Sequence, residues 1–158
     1  MDTGSIEHLG LDPIRDDLDR IENIQTISDI QAVIAGLVSR GIAPCFEIFA
    51  ETDAKDSNMM IAGLAQGGLG LPNKGYYVKE DAESETIRAR YRDHVANMCG
   101  FLGIHHDVAR NAANMVMVME TRLAHASHSP EENRDPLATY HKMSRGELKE
   151  ISPEIDWD

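Results

Sequence analysis

The sequence predicts a mainly α protein carrying one small antiparallel β-hairpin, and three observations carry that expectation. Aromatic residues make up 5% of the 158 residues while methionines number eight, so an interior must be filled by Ile, Leu, Val, Met and Ala, as packed helices usually are. Four segments repeat apolar residues at the i, i+3, i+4, i+7 spacings of a helix face. Between them, residues 45–51 and 59–66 are short, apolar or alternating, and separated by a polar, turn-rich stretch, which is the pattern of a hairpin.

Taken in order, Asp12 before Pro13 reads as an N-cap and first-turn pair, and Ile14, Leu18 and Ile21 then recur among charged residues as the buried stripe of a surface helix. Ser28 and Gln31 have the spacing of a capping box, followed by Ile30, Val33, Ile34, Leu37 and Val38, with Gly41 and Pro44 as the stop. From Cys45 the period changes: Phe46, Ile48 and Ala50 alternate with Glu47, Phe49 and Glu51, which predicts a strand with one face better buried. Residues 52–58 form the expected turn and 59–66 the returning strand. Because a two-stranded hairpin is marginal alone, it must rest on something else.

The densest run of backbone constraints follows, at residues 66–81. Gly67, Gly68, Gly70 and Gly75 permit positive φ or close approach, Pro72 fixes φ, and Leu69, Leu71, Tyr76, Tyr77 and Val78 supply apolar surface. A flexible linker would lack such anchors, so this is an ordered corner leading into a helix. Asp81 or Ser84 can cap that helix, which carries Ile87, Tyr91, Val95, Met98 and Leu102 and stops at Gly103. Asp107 can cap another, with Val108, Ala112, Met115, Val116, Met119, Leu123 and Ala126 as its expected core stripe. The short link 103–106 predicts a helical hairpin. Pro130 and Pro136 bar one continuous helix across 127–140, and Ser144 with Glu147 heads a last amphipathic turn through Leu148 and Ile151. The only tryptophan, Trp157, stands at the second-last residue, where a bulky ring gains little in a frayed tail, so the sequence reads as a cut from a longer chain.

Fifteen basic against 27 acidic residues, a net charge of −12, oppose phosphate backbones and anionic membrane surfaces, which excludes nucleic acid as an expected partner. The sequence predicts no membrane span, and its first residues lack the basic and apolar regions of a signal peptide. Cys45 and Cys99 lie in different elements without C-x-x-C or metal-type spacing, and are expected to be buried free thiols. Among seven histidines, His125 and His128 have i, i+3 spacing with Glu120 nearby, but no H-E-x-x-H occurs and a solvated pair is the expectation. The glycine run lacks the Lys-Ser or Lys-Thr of a phosphate loop, the serines lack a G-x-S-x-G elbow, and neither cysteine has an adjacent activating base.

The residues reached so far share landmarks with a known family. Residues 58–66, followed by Gly68-Leu69-Gly70-Leu71-Pro72 and Tyr76-Tyr77-Val78, resemble the non-catalytic part of neprilysin-type zinc metallopeptidases, bacterial PepO-like endopeptidases among them. Two further landmarks come in the same order: Met119-Glu120-Thr121-Arg122-Leu123-Ala124, then Arg134-Asp135-Pro136 with Tyr140, Lys142, Met143 and Ser144, closed by Asp156-Trp157. The likeness runs from about Ile6 to Trp157. It departs at Lys74-Gly75, where the family usually has Arg-Asp, and at His141, where it usually has Asn.

The resemblance implies two largely helical lobes around a cavity, with zinc held in the other lobe by the two histidines of H-E-x-x-H and a later Glu, whose motif glutamate activates water to attack a peptide bond. None of those residues is in this chain. It implies that residues 1–158 are part of the cap lobe, which encloses the cavity and limits access to small oligopeptides, with the catalytic lobe of the same polypeptide as partner. Zinc then belongs to the full-length parent and not to this portion, which alone would be inactive. The parent would be periplasmic, extracellular or membrane-anchored. Gly68, Leu69, Leu71, Pro72, Tyr76, Tyr77, Arg134, Asp135 and Pro136 carry over as structural motif residues, with no catalytic, cofactor, metal or substrate residue. The residues alone also allow a self-contained helical module that holds a peptide or protein on its hairpin edge or helical groove.

Overall fold

The computed structural model describes residues 3–157. The fold is mainly α with one two-stranded antiparallel sheet, as the composition and periodicity predict. It divides into two compact units, one running up to Ile42 and resuming at Arg145, the other spanning Ala43–Ser144.

The first unit opens with α1 (Thr3–Leu9), an element without a clear apolar period in the sequence. Asp12 does not cap a helix as expected. Its carboxylate instead accepts from Arg15 Nε and Nη2 at 3.3 and 3.1 Å, so Pro13 sits in a 3-10 turn (Asp12–Ile14) ahead of α2 (Arg15–Glu22). The helix α3 (Ile27–Val38) begins two residues earlier than the Ser28 reading places it. Thr26, extended at φ −129°, accepts from the Asp29 N–H at 3.2 Å, and Asp29 accepts from the Thr26 N–H at 2.8 Å. With that reciprocal box closed by Thr26 and Asp29, Gln31 bonds elsewhere. Its amide donates to the Glu154 carbonyl at 2.6 Å and accepts from the Asp156 N–H at 2.9 Å.

Gly41, at φ 79°, ends α3, with Ile42 N–H bonded to the Leu37 carbonyl, the six-to-one bond of a Schellman stop. Arg40 forks onto Asp17 of α2 at 2.8 and 2.7 Å, the bidentate geometry that ties these two helices. After α8 (Arg145–Ile151) the Trp157 ring is half-buried, its Nε1 donating to Ser152 Oγ at 2.9 Å. The ring is docked, contrary to the expectation for a frayed tail.

In the second unit β1 (Phe46–Asp53) pairs with β2 (Asp56–Gln66), Phe46 opposite Gln66 and Thr52 opposite Met60. The connection is shorter than the expected 52–58: only Ala54 and Lys55 turn, with an irregularity between Thr52 and Asp53. Asp53 accepts from the Lys55 N–H at 2.9 Å and Asp56 from the Asn58 N–H at 3.1 Å, local side-chain bonds that tighten the turn. The expected one-sided burial is absent. Ile48 and Phe49, on opposite faces, are both exposed, as are Met59, Met60 and Leu64.

The helical hairpin is as expected: α5 (Ala82–Phe101), capped by Asp81, packs on α6 (His106–Ala126) across a stop at Gly103, φ 79°. Asp107 lies in the first turn of α6 and His105 takes the N-cap place. The core stripe of α6 differs from the expected one. The buried residues are Ala109, Ala113, Met117 and Ala124, whereas Val108, Met115 and Met119 are exposed. At about 100° per residue the two sets lie on opposite faces, and the small alanines let neighbouring backbone approach more closely than valine or methionine would. A 3-10 turn (Glu132–Arg134) and α7 (Pro136–Thr139) complete the unit. Cys45, just ahead of β1, is exposed and Cys99 half-buried, both free thiols, so the expected burial of Cys45 fails.

Candidate functional site

At the glycine-rich corner the glycines answer specific steric demands. Gly68 sits at φ 77°, where a Cβ would lie 2.7 Å from the Pro44 carbonyl oxygen. A Cβ on Gly70 would lie 1.9 Å from the Tyr91 hydroxyl. Beyond Pro72, Asn73 accepts from the Gly75 N–H at 2.9 Å and starts α4 (Gly75–Val78), a single turn. That turn drives Tyr77 inward to 5% exposure, in a cluster with Met117 and Ala124 of α6 and with Leu69, Leu71, Tyr76, Val78 and Tyr91 around it.

Beneath the corner lies Glu120 of α6. Its Oε2 accepts from the Tyr77 hydroxyl and from the Gly70 N–H (3.2 Å), and its Oε1 from the Tyr91 hydroxyl at 2.8 Å. The Tyr77 oxygen in turn accepts from the Leu71 N–H at 2.7 Å. One carboxylate thus holds two phenols and two consecutive backbone amides of the corner, directly or through Tyr77. Burial first, and the Glu120 carboxylate second, push Tyr91 up to about 12 and Tyr77 higher still, because both disfavour a phenolate.

Two more ties close the site. Gln66 and residue 128 exchange two bonds, the Gln66 amide donating to the His128 carbonyl at 3.2 Å and accepting its N–H at 2.8 Å. Lys74 donates to the Ser127 carbonyl at 2.6 Å, so the position where the family usually has Arg supports main chain here. These ties frame an open groove of about 500 Å³ between the corner and Ser127, Pro130 and Asn133. At the hairpin tip, Asp53 is buried, paired with Lys142, and accepts from the Tyr140 hydroxyl at 2.8 Å, with Lys55 over the Tyr140 ring. The Lys142 bond foremost, then the Lys55 N–H and Tyr140, hold the Asp53 carboxyl at about 2.

Of the sequence-derived motif residues, Gly68, Leu69, Leu71, Pro72, Tyr76 and Tyr77 come together at the corner. Arg134, Asp135 and Pro136 do not join them. Asp135 is the N-cap of α7, accepting from the Leu137 N–H at 2.9 Å. The residues that sequence reasoning missed are Glu120 as a hub, Tyr91, Gln66, and the Asp53 pair with Lys142. Glu120 stands in the sequence as a polar interruption among the apolar residues of α6, which is the available signal.

The His125 and His128 pair does not share a helical face, because α6 ends at Ala126 and Ser127 is its C-cap. Among the described residues no group of three or more His, Cys, Asp or Glu could hold a metal. A zinc ion therefore does not fit the described residues. The arrangement holds a backbone in shape and lines a groove.

Comparison with known proteins agrees with this fold. The family model described as Peptidase family M13 matches residues 1–158. Mouse (Mus musculus) endothelin-converting enzyme 1 is 31% identical over 116 residues, 73% of this chain and 15% of that protein. The zinc metalloprotease ZMP1 of Mycobacterium tuberculosis, solved with an inhibitor, superimposes with a TM-score of 0.90 at 26% identity, over 98% of this chain and 23% of its own. PEPO of Lactobacillus rhamnosis HN001 shares the fold, with a TM-score of 0.79 at 18% identity over 93% of this chain and 23% of its own. The chain belongs to peptidase family M13, the neprilysin-type metallopeptidases, and matches its N-terminal region. It spans about 15% of the length of the curated relatives it matches.

Proposed function

We propose that residues 1–158 form part of the N-terminal cap lobe of a zinc-dependent endopeptidase, enclosing the substrate cavity and restricting it to small oligopeptides. The observation that carries this reading is a family match over the whole chain, supported by described residues that include no group of three or more His, Cys, Asp or Glu able to hold a metal; on this reading the chemistry resides in sequence other than these residues. The catalytic lobe of the same polypeptide is then the partner, zinc is its cofactor, and residues 1–158 alone do not cleave peptides. By likeness to its relatives the parent works in the periplasm, outside the cell or anchored to a membrane; no described helix here is itself long and apolar enough to cross one.

The test is expression of the complete reading frame followed by peptide cleavage with and without a zinc chelator. The expected result is chelator-sensitive cleavage of short peptides and none of a folded protein substrate. A complete reading frame that encodes no H-E-x-x-H, or a product with no such activity, overturns the proposal.

A further inference from the structure

The helix α6 is apolar on two opposite faces. Its inner face packs through alanine and Met117, while its outer face carries Val108 (58% exposed), Met115 (61%), Val118 (54%) and Met119 (61%). Charge tells the same story independently. Between Val108 and Ala126 the charged side chains are Arg110, Glu120 and Arg122, and Glu120 is engaged beneath the corner. The neighbouring α5 carries Glu83, Glu85, Arg88, Arg90, Arg92 and Asp93 over a similar length. In a chain with 27 acidic residues, a solvated helix face would take its share of them. Asn111 and Arg122 share this outer face, yet four large apolar side chains left exposed along one side of a helix mark a contact.

We propose that the Val108, Met115, Val118 and Met119 face of α6 docks against an apolar surface of the same M13 polypeptide outside residues 1–158. The occupant follows from length: ZMP1 matches this chain over 98% of its residues, yet that match accounts for 23% of the ZMP1 chain, so the relatives carry ample polypeptide to cover the face. The inference rests on the cap-lobe reading above. It adds which face of which helix is covered, and by what.

Methionine oxidation tests it directly, because Met115 and Met119 report the outer face and Met117, between them, the inner one. The complete polypeptide is treated with dilute hydrogen peroxide and sulfoxide formation is followed residue by residue by mass spectrometry, with free methionine as the exposed reference. Met115 and Met119 are expected to oxidise at least about tenfold more slowly than free methionine, at a rate close to that of Met117. Oxidation near the free rate in a polypeptide with chelator-sensitive peptidase activity overturns the docking and leaves the cap-lobe reading standing. Protection that disappears on dilution identifies a second copy as the occupant and also overturns it. Protection in a polypeptide without that activity supports the covered face while the cap-lobe reading fails.

Discussion

Replacing Tyr77 with Phe removes a single oxygen on which two bonds depend. Tyr77 donates to Glu120 and accepts from the Leu71 N–H at 2.7 Å, in a position only 5% exposed. A hydrogen bond to a charged group contributes about 1.5–3 kcal/mol, and a backbone N–H left without a partner away from water costs about 1–3 kcal/mol. Glu120 retains Tyr91 and the Gly70 N–H, which offsets part of the first loss. A net cost of about 2–4 kcal/mol is expected, concentrated in the corner. Amide hydrogen exchange reads it there: Gly70 and Leu71 should exchange about 30- to 1000-fold faster, since about 1.4 kcal/mol corresponds to a factor of ten. Tyr76→Phe is the control, because the Tyr76 hydroxyl has no partner among the described residues, and it should change these rates by less than about threefold. Equal effects of the two substitutions would refute the view that Glu120 holds the corner through Tyr77.

Other outcomes follow from the same geometry. Gly70→Ala places a methyl group 1.9 Å from the Tyr91 hydroxyl, so Tyr91 must leave Glu120; a loss of about 1–3 kcal/mol is expected in denaturant unfolding, and Tyr91→Phe should cost little more in that background. In an alkaline ultraviolet titration Tyr91 should ionise only near 12. Since its folded value lies above the unfolded one of about 10, its contribution to stability is complete below pH 10 and is lost as pH rises toward 12. Asp53 acts in the opposite sense. Its carboxyl is held at about 2 against an ordinary 3.8, so its contribution is complete above about pH 4 and fades between pH 4 and 2. Carbon-detected magnetic resonance of the Asp53 carboxyl checks this, and Asp53→Asn should remove the acid dependence of amide exchange at residues 140–143.

The legible parts of the fold are those that local chemistry decides. Asp81 before the helical run and Gly103 at its end specify α5 without help from tertiary structure, and the structure has Asp81 accepting from the Ser84 N–H and Gly103 at positive φ. Where two local solutions compete, sequence alone does not choose. Thr26 with Asp29 and Ser28 with Gln31 both have a capping spacing; the structure closes the first box and engages Gln31 with residues 154 and 156, partners more than a hundred positions away that no local spacing announces. The stripe of α6 escapes the sequence for a related reason: with apolar residues on both faces, periodicity cannot say which face meets α5, and the larger side chains draw the assignment although the smaller ones allow the closer approach. The corner is recognisable from its glycines and tyrosines, but the carboxylate that organises it lies some fifty residues further on. Glu120 shows in the linear pattern only as a polar interruption of α6, without naming its partners, and the pairing of Asp53 with Lys142, some ninety positions apart, leaves no mark there at all.

The Gln66 amide meets the main chain of residue 128 as one peptide group meets another, donating to its carbonyl and accepting from its N–H. A carboxamide is the side chain that can imitate a neighbouring strand in this way, since it carries an N–H donor and a carbonyl acceptor side by side on the same end. The consequence is an asymmetry of tolerance. Position 128 contributes nothing to the tie except backbone, so any non-proline residue there preserves it, while Gln66 cannot become Glu without setting a carboxylate against a carbonyl oxygen. One of the seven histidines of the chain therefore serves this bond only as a length of main chain.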